Sequence, residues 1–390
     1  MNPFSSPVPY VAIACGGTGG HLFPGMAVAE QLRQHGCDVA LLISPKDIDQ
    51  QAVKSARNME VFTLPAVGLQ NRNYLSFAFS FAKSFRAAQK LLQRRRPCAV
   101  LAMGGFTSAP PVLAARLAGI KTFLHESNTI PGKANRYLAR FVDEAFVGFP
   151  ETAARLRARK VTVTGTPVRP QFRLRPAAEC RKALGLDTER RTVLVVGGSQ
   201  GATGLNQMVI SALPALANRG WQWIHLTGAQ DFERVKAAYA AVGLSAVVKP
   251  FLAEMDLALG AATAAVSRAG ASSLAEMSAL RLPSLLVPFP AAADNHQFFN
   301  AQAFVTSDSA RLLAQKDSTP SQVTALLVEL MENEASRGKL QSALATWHKP
   351  GAAAQIAAHI LQMAGGPTSL VTVPSPAAPA PTPRPHTTPA

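Results

Sequence analysis

Twice in this chain a short apolar run stops at a cluster of glycines and then passes into a helical pattern. Val11-Ala12-Ile13-Ala14 leads into Gly16-Gly17-Thr18-Gly19-Gly20 and a helix from about residue 24 to 34. Thr192-Val193-Leu194-Val195-Val196 leads into Gly197-Gly198-Ser199-Gln200-Gly201 and a helix from about residue 205. Uninterrupted apolar strands that alternate with helices belong to a parallel sheet covered on both faces. Further strands are expected at 39–43, 99–103 and 122–124 in the first half, and at 223–226, 247–249, 264–266 and 284–287 in the second. The expected fold is therefore α/β, with two Rossmann-like, doubly wound domains facing across a cleft. At 390 residues the chain is long enough for two such cores.

The boundaries follow composition. Residues 1–165 form the first domain, an Arg- and Pro-rich stretch at 166–180 the linker, and residues 181–364 the second domain. Residues 365–390 form a Pro/Ala/Thr-rich tail. Eight prolines fall between 367 and 390 with almost no apolar content, so the tail is expected to stay disordered.

Glycines directly after a strand let backbone N–H groups approach an anion, and the next helix presents its positive end there. One such loop is equally well a tight turn without a ligand; two in equivalent places favour phosphate or diphosphate. No GxxxxGK[ST] occurs, and neither loop fits GxGxxG. Ser44-Pro45-Lys46 stands where a dehydrogenase would place its ribose-binding acid. Asp47-Ile48-Asp49 has the form of a metal-binding DxD, but two carboxylates at a loop-to-helix junction also serve as caps. No metal and no cofactor are assigned.

Charge narrows the partners. Lys and Arg number 39 against 23 Asp and Glu, for a net charge of +16. That excess calls for an anionic partner. No acidic residue occurs between Val61 and His125, whereas Arg72, Lys83, Arg86, Lys90 and Arg94-Arg95-Arg96 fall inside that interval. Phe77, Phe81 and Phe85 share one helical face there, with Tyr74 and Phe79 nearby. Core packing is the plain reading of such a stripe; set among cations it also suits an anionic membrane surface, contacted peripherally through residues 72–96. No nucleic-acid motif accompanies the basic charge, so no nucleic acid is expected. Cys15, Cys37, Cys98 and Cys180 show no metal-ligand spacing and are expected to be reduced. The uncharged segments 1–29 and 97–115 are broken by glycine or proline pairs, and neither is expected to be a signal peptide or a membrane span.

Taken in order, several motifs resemble the MurG-type transferases of glycosyltransferase family 28. They are Gly16-Gly17-Thr18-Gly19-Gly20-His21 with Phe23-Pro24-Gly25, Met103-Gly104-Gly105-Phe106, and His125-Glu126-Ser127-Asn128. Thr166-Pro167-Val168-Arg169 follows, then Gly197-Gly198-Ser199-Gln200-Gly201-Ala202, Arg268-Ala269-Gly270-Ala271 with Glu276, and Asp294-Asn295-His296-Gln297 with Asn300. The resemblance covers nearly the whole folded chain. It implies a GT-B fold, UDP-N-acetylglucosamine as donor, lipid I as acceptor, lipid II as product, and a peripheral location on the cytoplasmic face of the bacterial inner membrane. It also implies donor contacts at Thr18, Gly19, Gly20, Asn128, Arg169, Ser199, Leu252, Ala271, Ser272, Ser273, Leu274, Ala275, Glu276 and Gln297. The family inverts the anomeric centre, so an acceptor hydroxyl must lose a proton. His21 is the first candidate base and Glu126 the second; His21 can equally orient the loop or touch the diphosphate. Thr166 departs from the family, which commonly has Asn there.

Overall fold

In the computed structural model, residues 8–46, 49–50, 59–65, 74–198 and 201–365 are described. The first sheet contains β1 (Tyr10–Ala14), β2 (Asp38–Ile43), β3 (Glu60–Thr63), β4 (Ala99–Ala102), β5 (Lys121–Glu126), β6 (Glu144–Val147) and β7 (Val161–Val163). Its order is β3-β2-β1-β4-β5-β6-β7. The second contains β8 (Thr192–Val196), β9 (Gln222–Leu226), β10 (Ala246–Lys249), β11 (Ala264–Ser267), β12 (Ser284–Leu286) and β13 (Arg311–Leu312), in the order β10-β9-β8-β11-β12-β13.

Every pairing in both sheets is parallel. β1 and β8, the strands that precede the two glycine loops, are central and fully buried up to Val195. Each is flanked by strands that leave in opposite directions of chain order, β2 and β4 around β1 and β9 and β11 around β8. This reversal opens a crevice at the carboxyl ends of the strands, where ligands bind in doubly wound sheets. Two apolar layers cover each sheet, one per face.

Six helices bear on the site: α1 (Gly19–Gln34), α2 (Tyr74–Arg94), α3 (Thr203–Leu216), α4 (Ala271–Ala279), α5 (His296–Thr306) and α6 (Ala352–Met363). α1 starts five residues earlier than the pattern from residue 24 suggests, so Gly19 and Gly20 lie in its first turn and Pro24 lies inside it. The part of the expected linker from 177 onward is a helix, Ala177–Ala183, whose Cys180 joins the second core.

α6 falls within 181–364, the stretch expected to form the second domain, yet it packs on the first. Ala353, Ile356, Ala357, Ile360 and Leu361 share one core with Leu22 and Met26 of α1 and with Ile13, Leu41 and Leu101 of the sheet. His359 extends the attachment: its Nδ1 lies 3.1 Å from Oε1 of Glu144, which is fully buried on β6 and also takes Lys160 Nζ at 3.1 Å. Two chain segments therefore join the domains. The tail expected at 365–390 lies outside the described residues from 366 on.

Candidate functional site

The first glycine loop is fixed from below. Asp49 is buried, and its Oδ2 accepts Gly17 N–H at 2.6 Å and Ser44 N–H at 3.1 Å. Asp49 thus anchors the loop, while Asp47 and Ile48 lie outside the described residues. Thr18 caps α1 in an extended conformation, and its Oγ1 lies 3.2 Å from His21 Nδ1. The imidazole rests on the backbone of Gly104 and Gly105, at φ +109° and +77°. A Cβ on either glycine would come within 3.0–3.1 Å of the ring, so this pair supplies both the left-handed backbone and the clearance. Burial holds the His21 pKa below its usual value, opposed by the nearby Glu126 and Asp49 carboxylates. At pH 7 the ring is neutral and able to accept a proton.

The His125-Glu126-Ser127-Asn128 segment sits at the carboxyl end of β5. His125 is fully buried, with Nε2 3.1 Å from Gly165 O, and burial lowers its pKa to about 4. Glu126 accepts four N–H groups. Oε1 takes Asn128 N–H at 2.8 Å and Asn128 Nδ2 at 3.0 Å; Oε2 takes Gly132 N–H at 2.9 Å and Asn135 Nδ2 at 2.8 Å. A carboxylate so engaged anchors the loop 126–135. Asn135, on the helix Lys133–Leu138, was not among the expected site residues; a lone amide without periodicity gives no signal in the sequence.

Across the cleft, Arg169 and Glu276 face each other at 3.9 Å. The Arg169 guanidinium lies 4.2 Å from the Phe23 ring centroid of α1 and 5.0 Å from that of Phe172. Glu276 is the sixth residue of α4 rather than part of its first turn. Burial pushes its pKa up to about 7, with Arg169 pulling the other way. Ser272, in the first turn of α4, donates to Gly20 O at 3.0 Å. Pro24 has no N–H, so the Gly20 carbonyl four residues earlier is free of the helix ladder and available to Ser272.

Other expected contacts are placed by the second core and by the junction between the domains. Ala271, Leu274 and Leu252 are buried in the second core, while Ser273 and Ala275 are half-buried on α4. Gln297 Oε1 accepts the N–H groups of Ala269 at 3.3 Å and Phe289 at 3.0 Å. Asn128 Oδ1 accepts Nδ2 of Asn300 at 3.0 Å, which ties the two domains together. In the second glycine loop, Gly201 has φ +78°, and a Cβ there would come to 2.2 Å from Thr227 O. Ser199 lies outside the described residues.

α2 exposes a different apolar edge from the expected stripe. Phe85 packs toward the first core, and Phe77 and Phe81 lean on each other at 6.2 Å. Leu75 and Phe79 are the exposed ones, at 86% and 74%. A groove lined by Pro65, Phe79, Ala82, Lys83, Arg86, Ala87 and Lys90 continues from them. Arg72 lies outside the described residues. No helix of the described residues is long and apolar enough to cross a membrane.

Comparison with known proteins adds to this geometry. The Glycosyltransferase family 28 N-terminal domain matches residues 11–147, and the Glycosyltransferase family 28 C-terminal domain matches residues 192–356. The chain belongs to glycosyltransferase family 28. Within the family it is 40% identical, over 93% of its length and 83% of the relative's, to the UDP-N-acetylglucosamine--N-acetylmuramyl-(pentapeptide) pyrophosphoryl-undecaprenol N-acetylglucosamine transferase of Xanthomonas euvesicatoria pv. vesicatoria (strain 85-10). The protein of the same description from Anaeromyxobacter sp. (strain Fw109-5) is 38% identical over 88% of this chain and 91% of its own. Among solved structures, MurG of Acinetobacter baumannii superposes with a TM-score of 0.71 at 28% identity, covering 92% of this chain and all of that one. A UDP-N-acetylglucosamine 2-epimerase also superposes, at a TM-score of 0.65, but at 14% identity it shares only the GT-B fold with this family 28 member.

Proposed function

We infer that this family 28 enzyme transfers N-acetylglucosamine from UDP-N-acetylglucosamine to the 4-hydroxyl of the muramyl sugar of lipid I, with inversion, and so forms lipid II for peptidoglycan. The observation that carries the inference is the match to transferases of this description across both domains and nearly the whole chain. The cleft supports it. Glu276 presents a half-buried carboxylate for the ribose hydroxyls, and Arg169 adds positive charge on the same side. The N-termini of α3 and α4, with Ser272 and Ser273, face the region where a leaving diphosphate gains charge. In the tautomer that places the proton on Nδ1, toward Thr18 Oγ1, His21 keeps a lone pair on Nε2 and serves as the base for the acceptor hydroxyl. Glu126 holds the loop beside it.

The acceptor carries a polyprenyl chain, so the enzyme works at the membrane surface, peripherally and on the cytoplasmic leaflet. Leu75 and Phe79 enter the interface, and Lys83, Arg86 and Lys90 meet anionic headgroups. The decisive assay supplies UDP-N-acetylglucosamine with labelled sugar and a lipid I analogue. Label in the lipid fraction is the expected result. UDP release with the sugar hydrolysed or epimerised, and none transferred, would overturn the assignment.

A further inference from the structure

Asn300, in the second turn of α5, is fully buried, and all four hydrogen-bonding positions of its amide are filled. Oδ1 accepts the N–H of Thr129 at 2.9 Å and its hydroxyl at 3.0 Å. Nδ2 donates to Asn128 Oδ1 at 3.0 Å and to Ala269 O at 3.1 Å. Three of these bonds reach the first domain and one stays in the second. A buried amide satisfied from two domains fixes their register, because moving either side strands polar atoms away from water.

The contacts continue in both directions. On the first-domain side, Asn128 donates to Glu126, whose other oxygen takes Asn135 Nδ2. That nitrogen lies at the face of Gly104, where an added Cβ would meet it and the His21 ring at the same 3.1 Å. On the second-domain side, Asn300 lies one turn from Gln297. Ala269 directly precedes Gly270, the N-cap of α4, the helix that carries Ser272 and Glu276. Hydrogen bonds thus run from the second domain through Asn300, Asn128 and Glu126 to Asn135, which packs beside Gly104 in the floor beneath His21.

We propose that Asn300 is a positioning residue for the transfer: it holds the acceptor-side loop 126–135 in register with α4 and α5, so that the base and the donor sugar meet in one geometry. The proposal rests on the reading of the cleft given above. Asn300 touches no reacting atom; it acts through Asn128, Thr129 and Ala269.

Asn300→Asp keeps the shape and removes both N–H donors, and Thr129→Val removes one donor to Asn300 while leaving Asn300 intact. Thermal melting establishes that each variant folds, and Thr129→Val carries the test alone if Asn300→Asp does not. Steady-state assays with UDP-N-acetylglucosamine and a lipid I analogue should show kcat reduced ~10-fold or more in Asn300→Asp and ~3-fold in Thr129→Val, the scale of one or two buried hydrogen bonds. Calorimetric UDP affinity of the full chain should stay within ~2-fold, as expected when the loss is confined to the reacting geometry. Amide exchange with UDP bound should rise in residues 126–135 and not in 192–226, a pattern that general destabilisation would not give. Unchanged kcat in the folded variants, or UDP affinity falling by the same factor as kcat, overturns the proposal. A parent chain that binds UDP but transfers no sugar to lipid I defeats the functional reading instead, and the exchange pattern still decides whether Asn300 couples the domains.

Discussion

Glu276 sits where a carboxylate is costly. Its side chain is only 15% exposed, its nearest cation is 3.9 Å away, and its pKa is raised from 4.5 to about 7. The folded state therefore keeps a proton that the unfolded chain releases between those values. Stability falls as pH rises from 4.5 to 7 and levels off above that window. Glu276→Gln removes this cost, while Arg169 keeps its place against Phe23 and Phe172. The variant is expected to be more stable than the parent at pH 8 by about 1 kcal/mol or more, with the difference shrinking at pH 5. Its KM for UDP-N-acetylglucosamine should rise ~10-fold or more through loss of charge-assisted hydrogen bonds. Melting curves at the two pH values and donor kinetics check both; equal or lower stability at pH 8 counts against the account. For His21, a depressed pKa places the acid limb of kcat/KM below pH 6.5. His21→Ala should lower kcat ~100-fold or more as a lost base; near-parental kcat with a raised donor KM would move His21 to a binding role. The glycine loops, His21 and Glu276 were all legible in the sequence because each sits at a strand end or in an ordered motif. Two of the four donors to Glu126 were not, since Gly132 and Asn135 reach it only after the chain turns back on itself.

The elements show the same division. A parallel sheet in each half follows from apolar runs that alternate with helices, and most observed strands lie within a residue or two of expectation. β3, β6, β7 and β13 escaped notice: β3, β7 and β13 are short edge strands with polar or half-exposed residues, and β6 is a buried four-residue run that opens on the charged Glu144. In α2 the period identified a helix, but only its packing against Ala109–Leu117 decides which side is covered. The solvent edge is Leu75 and Phe79. Aspartate at both positions should abolish sedimentation with anionic vesicles and leave turnover on a water-soluble acceptor within ~2-fold, since neither packs in the core. Phe85→Asp should instead destabilise the fold by about 3 kcal/mol, through a charge placed against apolar neighbours. Undiminished vesicle binding by the Leu75/Phe79 pair variant would remove the membrane role from this helix.

At the scale of the whole molecule, the proposed scheme meets donor-side charge with helix ends, hydroxyls and Arg169, so turnover is expected to persist in EDTA; complete loss in the presence of the chelator would contradict that scheme. Length and composition in the sequence were enough for two sheet-bearing halves, and on the expectation of a dispensable tail a chain ending at 366 should retain transfer activity. A chain ending at 350 should aggregate, because it uncovers the apolar face of α1 that α6 protects. That return of α6 was not legible: its Ala, Ile and Leu pattern fits either domain equally well, and only the packed structure says which. It also has a consequence for biosynthesis. Domains ordinarily mature in the order in which they leave the ribosome. Here the second domain is, in topology, an insertion into the first, so the half of the protein that is translated first waits for residues 352–363 before its own core can close.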